Sequence, residues 1–157
     1  MTSGEGRTAG DGEQDGGQVG ERTMSRPVGW WLKEADASLD AALDAALKGT
    51  DVDRREWQVL ATLARGPVKR STLLAALASF DPPEVLDRVL GGVLARGWVE
   101  ESGDVLGLTG EGSAQQQAVR PRVQEVRSRV SEVLPQEDYV QLLSLLARLV
   151  NGLRSTS

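Results

Sequence analysis

Apolar residues recur at helical spacing in segment after segment of this chain, and the period changes only once, between residues 98 and 109. That pattern restricts the fold to amphipathic helices around one small β element. Leu32, Ala35, Leu39, Leu43, Ala46 and Leu47 form a first stripe, with Lys33, Glu34, Asp36, Asp40 and Asp44 outside it. The spacing predicts a helix over roughly 28–48, entered at Pro27 and ended by Gly49. Asp53 with Glu56 three residues on has the form of a capping box, and Trp57, Leu60, Ala61 and Leu63 follow at helical spacing up to Gly66-Pro67. A short helix over about 69–79 carries Leu73, Leu74, Leu77 and Ala78. Asp81-Pro82-Pro83-Glu84 then offers Asp81 as an N-cap and proline in the first helical turn. Val85, Leu86, Val89, Leu90, Val93 and Leu94 continue that helix to Gly97, which completes a helix-turn-helix.

Residues 98–101 and 105–109 alternate as short strands around Ser102-Gly103-Asp104, a hairpin signal. A helix-turn-helix followed at once by a hairpin is a winged helix. Thr109 then caps a long helix from Glu111, in which Val119, Val123, Val126, Val130 and Val133 recur with the 4-3-4-3 spacing of a helix-packing seam. Pro121 inside it is expected to introduce a kink. Pro135 opens a last helix with Val140, Leu142, Leu143, Leu145, Leu146, Leu149, Val150 and Leu153, apolar almost all round. A second subunit is the natural cover for so wide a band. Val123, Val126, Val130, Leu142, Leu146 and Leu149 are the expected dimer contacts. The fold class is mainly α with a small β-hairpin. A winged helix-turn-helix over 50–110 is flanked by N- and C-terminal dimerisation helices over 27–48 and 111–154. Residues 1–26 hold seven glycines and five acids with four apolar residues, and read as a disordered acidic, glycine-rich tail.

Composition removes most catalytic chemistry. The chain has 157 residues, no His and no Cys, so zinc sites, imidazole bases, thiol nucleophiles and Ser-His-Asp triads are excluded. The acidic pairs Glu100-Glu101 and Glu137-Asp138 are neighbours that point apart, without a second catalytic group. No enzyme activity, cofactor or metal is expected. No apolar run approaches the ~20 residues of a membrane span, and no signal pattern is present, so a cytoplasmic protein is expected.

Four segments resemble one family: Gly29-Trp30-Trp31-Leu32-Lys33-Glu34-Ala35-Asp36, Arg55-Glu56-Trp57-Gln58-Val59-Leu60, Leu94-Ala95-Arg96-Gly97-Trp98-Val99-Glu100 and Leu108-Thr109-Gly110-Glu111-Gly112. In this order, over about 27–154, they resemble the MarR (multiple antibiotic resistance regulator) family. The resemblance implies a homodimeric, ligand-responsive transcriptional regulator that binds double-stranded DNA. Its first and last two helices would interlock the dimer, the second helix of the motif would enter the major groove, and the wing would touch the minor groove or backbone. A small aromatic ligand would sit between the two lobes, where Trp30, Trp31 and Trp57 are either pocket walls or core and dimer contacts.

The recognition segment departs from that pattern. Where the family commonly has Asp-Arg-Ser-Thr-Val-Ser-Arg, this chain has Pro82, Pro83, Glu84, Val85, Leu86, Asp87 and Arg88, and the wing lacks the usual cations. Residues 69–112 hold four cations against seven acids, a net of −3 within a chain of net −5. Lys69, Arg70, Ser71 and Thr72 at the start of the supporting helix, and Glu84, Asp87 and Arg88 on the recognition helix, are the expected DNA-facing residues. So few usable cations imply weak or narrowly specific binding. The alternative function is a protein-interaction homologue that keeps the dimer fold without binding DNA. Gly91-Gly92 replaces the pair that links helix to wing in the family, or serves close helix packing. Arg120, Arg122, Arg127 and Arg129 cluster on the long helix and either pair with acids of the first helix of the other subunit, the favoured reading, or bind an anion.

Overall fold

The computed structural model describes residues 23 and 25–155. Helix α1 spans Val28–Leu47, α2 Arg54–Leu63, β1 Val68–Lys69, α3 Arg70–Leu77, α4 Pro83–Ala95, β2 Val99–Ser102, β3 Val105–Leu108, α5 Gly110–Val133 and α6 Gln136–Arg154. The chain divides into two compact units, residues 1–39 and 40–157. The expected tail lies, apart from residues 23, 25 and 26, outside the described residues. In the first unit Trp30 and Trp31 pack edge to face at 4.7 Å, and Arg26 lies over the Trp30 ring. The Trp31 indole donates to the Thr23 carbonyl at 3.2 Å.

In the second unit, α2 begins as its sequence requires. Asp53 accepts from the Glu56 amide at 2.8 Å and Glu56 accepts from the Asp53 amide at 3.0 Å, so two orphan donors of the helix start are satisfied. Leu60, Val93 and Leu106 are completely enclosed, and around them Val59, Leu63, Leu73, Leu77, Leu86 and Leu90 close one core from α2, α3, α4 and β3. Trp98 is also buried in it, as its place at the strand start predicts.

The sheet has three strands rather than two, in the order β1-β3-β2 and all antiparallel. β1, only two residues long, pairs Val68 with Leu106 and Lys69 with Val105, which ties the start of α3 to the wing. The start of α4 also differs from expectation. Pro82 is the N-cap, without a side-chain bond. Asp81, only 7% exposed, turns instead to Arg55, whose Nη2 and Nε lie 2.8 Å from its two oxygens. That bond holds the Arg55 guanidinium above its ordinary pKa, with burial pulling the other way.

The Leu108-to-Gly112 segment is a junction. Thr109 donates to the Gly97 carbonyl at 2.6 Å and caps α5 by accepting from the Gly112 amide at 3.0 Å. A Cβ at Gly112 would fall 1.8 Å from the Trp98 carbonyl oxygen, so only glycine admits this approach. α5 runs on through Pro121 as one helix to Val133. No residue of α6 is buried, and Val140, Leu142, Leu143, Leu145, Val150 and Leu153 are exposed along it.

Candidate nucleic-acid interface

The residues expected at DNA come from the end of β1, from α3 and from α4, and the fold does bring these and the wing turn together. Ser71 and Thr72 are exposed in the first turn of α3, and Glu84, Asp87 and Arg88 are exposed along α4. The two cations that lead into α3, however, are already engaged. Arg70 lies 3.2 Å from Glu101 on β2 and 3.7 Å from Asp87 on α4. Lys69 lies 3.9 Å from Asp104 in the wing turn, and the Arg70 amide donates to the Asp104 carbonyl at 2.8 Å. Arg70 therefore joins α4 to the wing, a link that the family resemblance implies at the position of Gly91-Gly92. Those glycines are exposed, and a Cβ on either would meet nothing within 4 Å, so the close-packing reading does not hold within this chain.

Among the described residues no ion pair engages Arg88. The face thus carries exposed carboxylates from α4 and the wing, with the Arg88 guanidinium outside their ion pairs. Phosphate approaching it meets repulsion unless the internal pairs open.

A second feature is lined by other elements. α2, the turn after it and one side of α5 line an open cavity of about 810 Å³. Trp57, Ala61 and Leu63 come from α2, Arg65, Gly66 and Pro67 from the turn, and Ser113, Gln116, Gln117, Arg120, Gln124 and Arg127 from α5. Helical spacing alone puts these α5 residues on one side.

The sequence matches no protein-family model and no curated protein sequence. Among solved structures, the chain is similar to a MarR mutant from E. coli complexed with operator DNA, at 22% identity and a TM-score of 0.68 over 78% of this chain and 93% of that one. The chain has the MarR fold. It is similar also to NadR in complex with 4-hydroxyphenylacetate, at 23% identity and a TM-score of 0.68 over 83% of this chain and all of that one. A Mycobacterium tuberculosis MarR family protein is 26% identical, with a TM-score of 0.57 over 80% of this chain and 95% of that one.

Within the MarR fold the motif residues that carried the resemblance have structural tasks. Arg96 stacks on Trp98 at 4.4 Å, donates to the Asp51 carbonyl at 2.8 Å and pairs with Glu56 at 3.3 Å. Of the three tryptophans expected near a ligand, Trp57 lines the cavity, while Trp30 and Trp31 belong to the N-terminal unit. Of the expected dimer contacts, Val123 is 3% exposed in the core of this chain and Val126 is buried beside it. Val130, Leu146 and Leu149 are half-buried, and Leu142 is 38% exposed. On α5, Arg122 donates to the Ala46 and Lys48 carbonyls at the end of α1. Among the described residues no helix is long and apolar enough to cross a membrane, and no cluster of acids has the form of a metal site.

Local patterns gave no hint of Glu101 and Asp104 as partners of Arg70 and Lys69. The cavity arginines were visible as a cluster on one helix, but Arg65 was not, because it joins them only through the fold.

Proposed function

We propose that this chain is a MarR-like homodimeric transcriptional regulator, non-enzymatic and cytoplasmic, that binds double-stranded DNA weakly or with narrow specificity and responds to a small ligand. The observation that carries the reading is the outward face of α4. Glu84, Asp87 and Arg88 stand exposed there beside the first turn of α3 and the wing, on a chain similar to a structure complexed with operator DNA. Arg88 is the residue for a base edge or phosphate, with Lys69, Arg70, Ser71 and Thr72 beside it. The open apolar side of α6 supports a symmetric dimer, with Leu142, Leu146 and Leu149 among the contacts. Trp57 supports an aromatic wall for the ligand.

The experiment is selection of bound fragments from random DNA at about 100 mM salt, where non-specific phosphate contacts are weakened. Enrichment of one sequence, lost in Arg88→Ala, is the expected result. No enrichment, with an Arg88→Ala variant indistinguishable from the parent, would sink the reading. A second reading, a MarR-fold interaction protein that has left DNA, is favoured by one observation: Lys69 and Arg70 are neutralised by the chain's own acids. It predicts no enriched DNA and a dimer that still forms.

A further inference from the structure

The cavity between α2 and α5 has a charge that a chain of net −5 does not lead one to expect. Arg65, Arg120 and Arg127 line it together, and no carboxylate does. Among the described residues none of the three forms an ion pair, although Arg54, Arg55, Arg70 and Arg96 are each within 4 Å of an acid. This concentration of unneutralised cations sits in a protein of net charge −5. Like charges along one wall repel one another, and a ligand with a single negative charge offsets only part of that repulsion. Guanidinium is also the side chain whose planar fork matches carboxylate and phosphate oxygens in pairs. Between the arginines, Gln116, Gln117 and Gln124 add neutral donors, and Trp57 gives one aromatic surface. About 810 Å³ is far more space than a simple benzoate fills.

We propose that this cavity is a polyanion site, which takes a ligand with two or more negative charges, phosphoryl groups or several carboxylates, placed against Arg65, Arg120 and Arg127. The proposal rests on the ligand-responsive part of the function above and changes the ligand class from an aromatic monoacid to a polyanion. It involves no DNA, so its failure and that of the regulator reading are read in separate experiments.

The test is titration calorimetry of the full chain with pyrophosphate, citrate and 4-hydroxyphenylacetate at one ionic strength. Pyrophosphate or citrate is expected to bind at least about tenfold tighter than the monoanion. Arg120→Gln and Arg127→Gln are each expected to weaken the preferred polyanion by about tenfold or more, the usual size of a lost charge-assisted bond. All three cavity arginines are exposed, so the variants keep the fold, and circular dichroism checks this. Arg129→Gln, on the same helix but outside the cavity wall, is expected to change nothing. Tighter pyrophosphate assigns phosphoryl groups and tighter citrate assigns carboxylates. The proposal is overturned if 4-hydroxyphenylacetate binds as tightly as either polyanion, if neither polyanion binds at millimolar concentration, or if Arg129→Gln weakens binding as much as Arg120→Gln.

Discussion

Neutralising Asp87, Glu101 and Asp104 together, as Asp87→Asn, Glu101→Gln and Asp104→Asn, should convert a poor DNA face into a strong one. In the parent, Lys69 and Arg70 are held at 3.2–3.9 Å from these three acids, which leaves Arg88 as the open cation of the face in each subunit. The proposed dimer then has two such cations, and the slope of log affinity against log salt is about −1.8. With the acids neutralised, Lys69, Arg70 and Arg88 are all available, six cations per dimer, and the slope becomes about −5.4. Between 50 and 200 mM salt the parent's affinity would fall by roughly 12-fold and the variant's by roughly 1,800-fold. The fold should survive, because exposed pairs of this kind are each worth only about 0–1 kcal/mol. Fluorescence anisotropy with an arbitrary duplex measures both slopes, since the phosphate term is independent of sequence. If the variant keeps the parent's melting temperature and also its salt slope, this face does not meet phosphate and the reasoning is refuted.

Replacing Leu142 and Leu145 by Gln on α6 should dissociate the proposed dimer. The side chains are 38% and 49% exposed in one chain, and burying the exposed parts on both subunits is worth about 4 kcal/mol, roughly a thousandfold in the dissociation constant. Sedimentation equilibrium checks it, and an unchanged association constant would exclude α6 from the interface. Arg55→Met should destabilise the fold by about 2 kcal/mol, because Asp81 is left buried without its donor, and urea denaturation reads the loss. Gly112→Ala should cost about 3 kcal/mol or more, since the new methyl overlaps a backbone carbonyl that no rotamer change can move. A normal melting temperature for that variant would mean that the junction between the wing and α5 is laxer than its geometry.

What was legible in the sequence was what neighbouring residues decide. The Asp53-Glu56 box and the Thr109 cap formed as spaced, and the helices stop just before Gly49 and Gly97, both at positive φ. Asp81 shows where that logic ends. Its position before two prolines is a good N-cap signal, but Arg55, 26 residues away, binds it more strongly than a backbone amide at a half-satisfied helix start. β1 was missed for the same reason, because Val68-Lys69 has no period of its own and becomes a strand only by pairing with Leu106 and Val105. The DNA face is the case with most consequence. A regional sum of −3 was readable from residues 69–112 and already argued for weak binding. Whether those charges repel a phosphate or merely cancel the nearest cations depends on pairs such as Arg70 with Glu101, 31 residues apart, which only the three-stranded wing brings within 3.2 Å. Net charge fixes the far field, but affinity for a backbone depends on which cations can exchange their partner for phosphate. In this chain that number is one per subunit of the proposed dimer rather than three, because acids of α4 and the wing pair with Lys69 and Arg70.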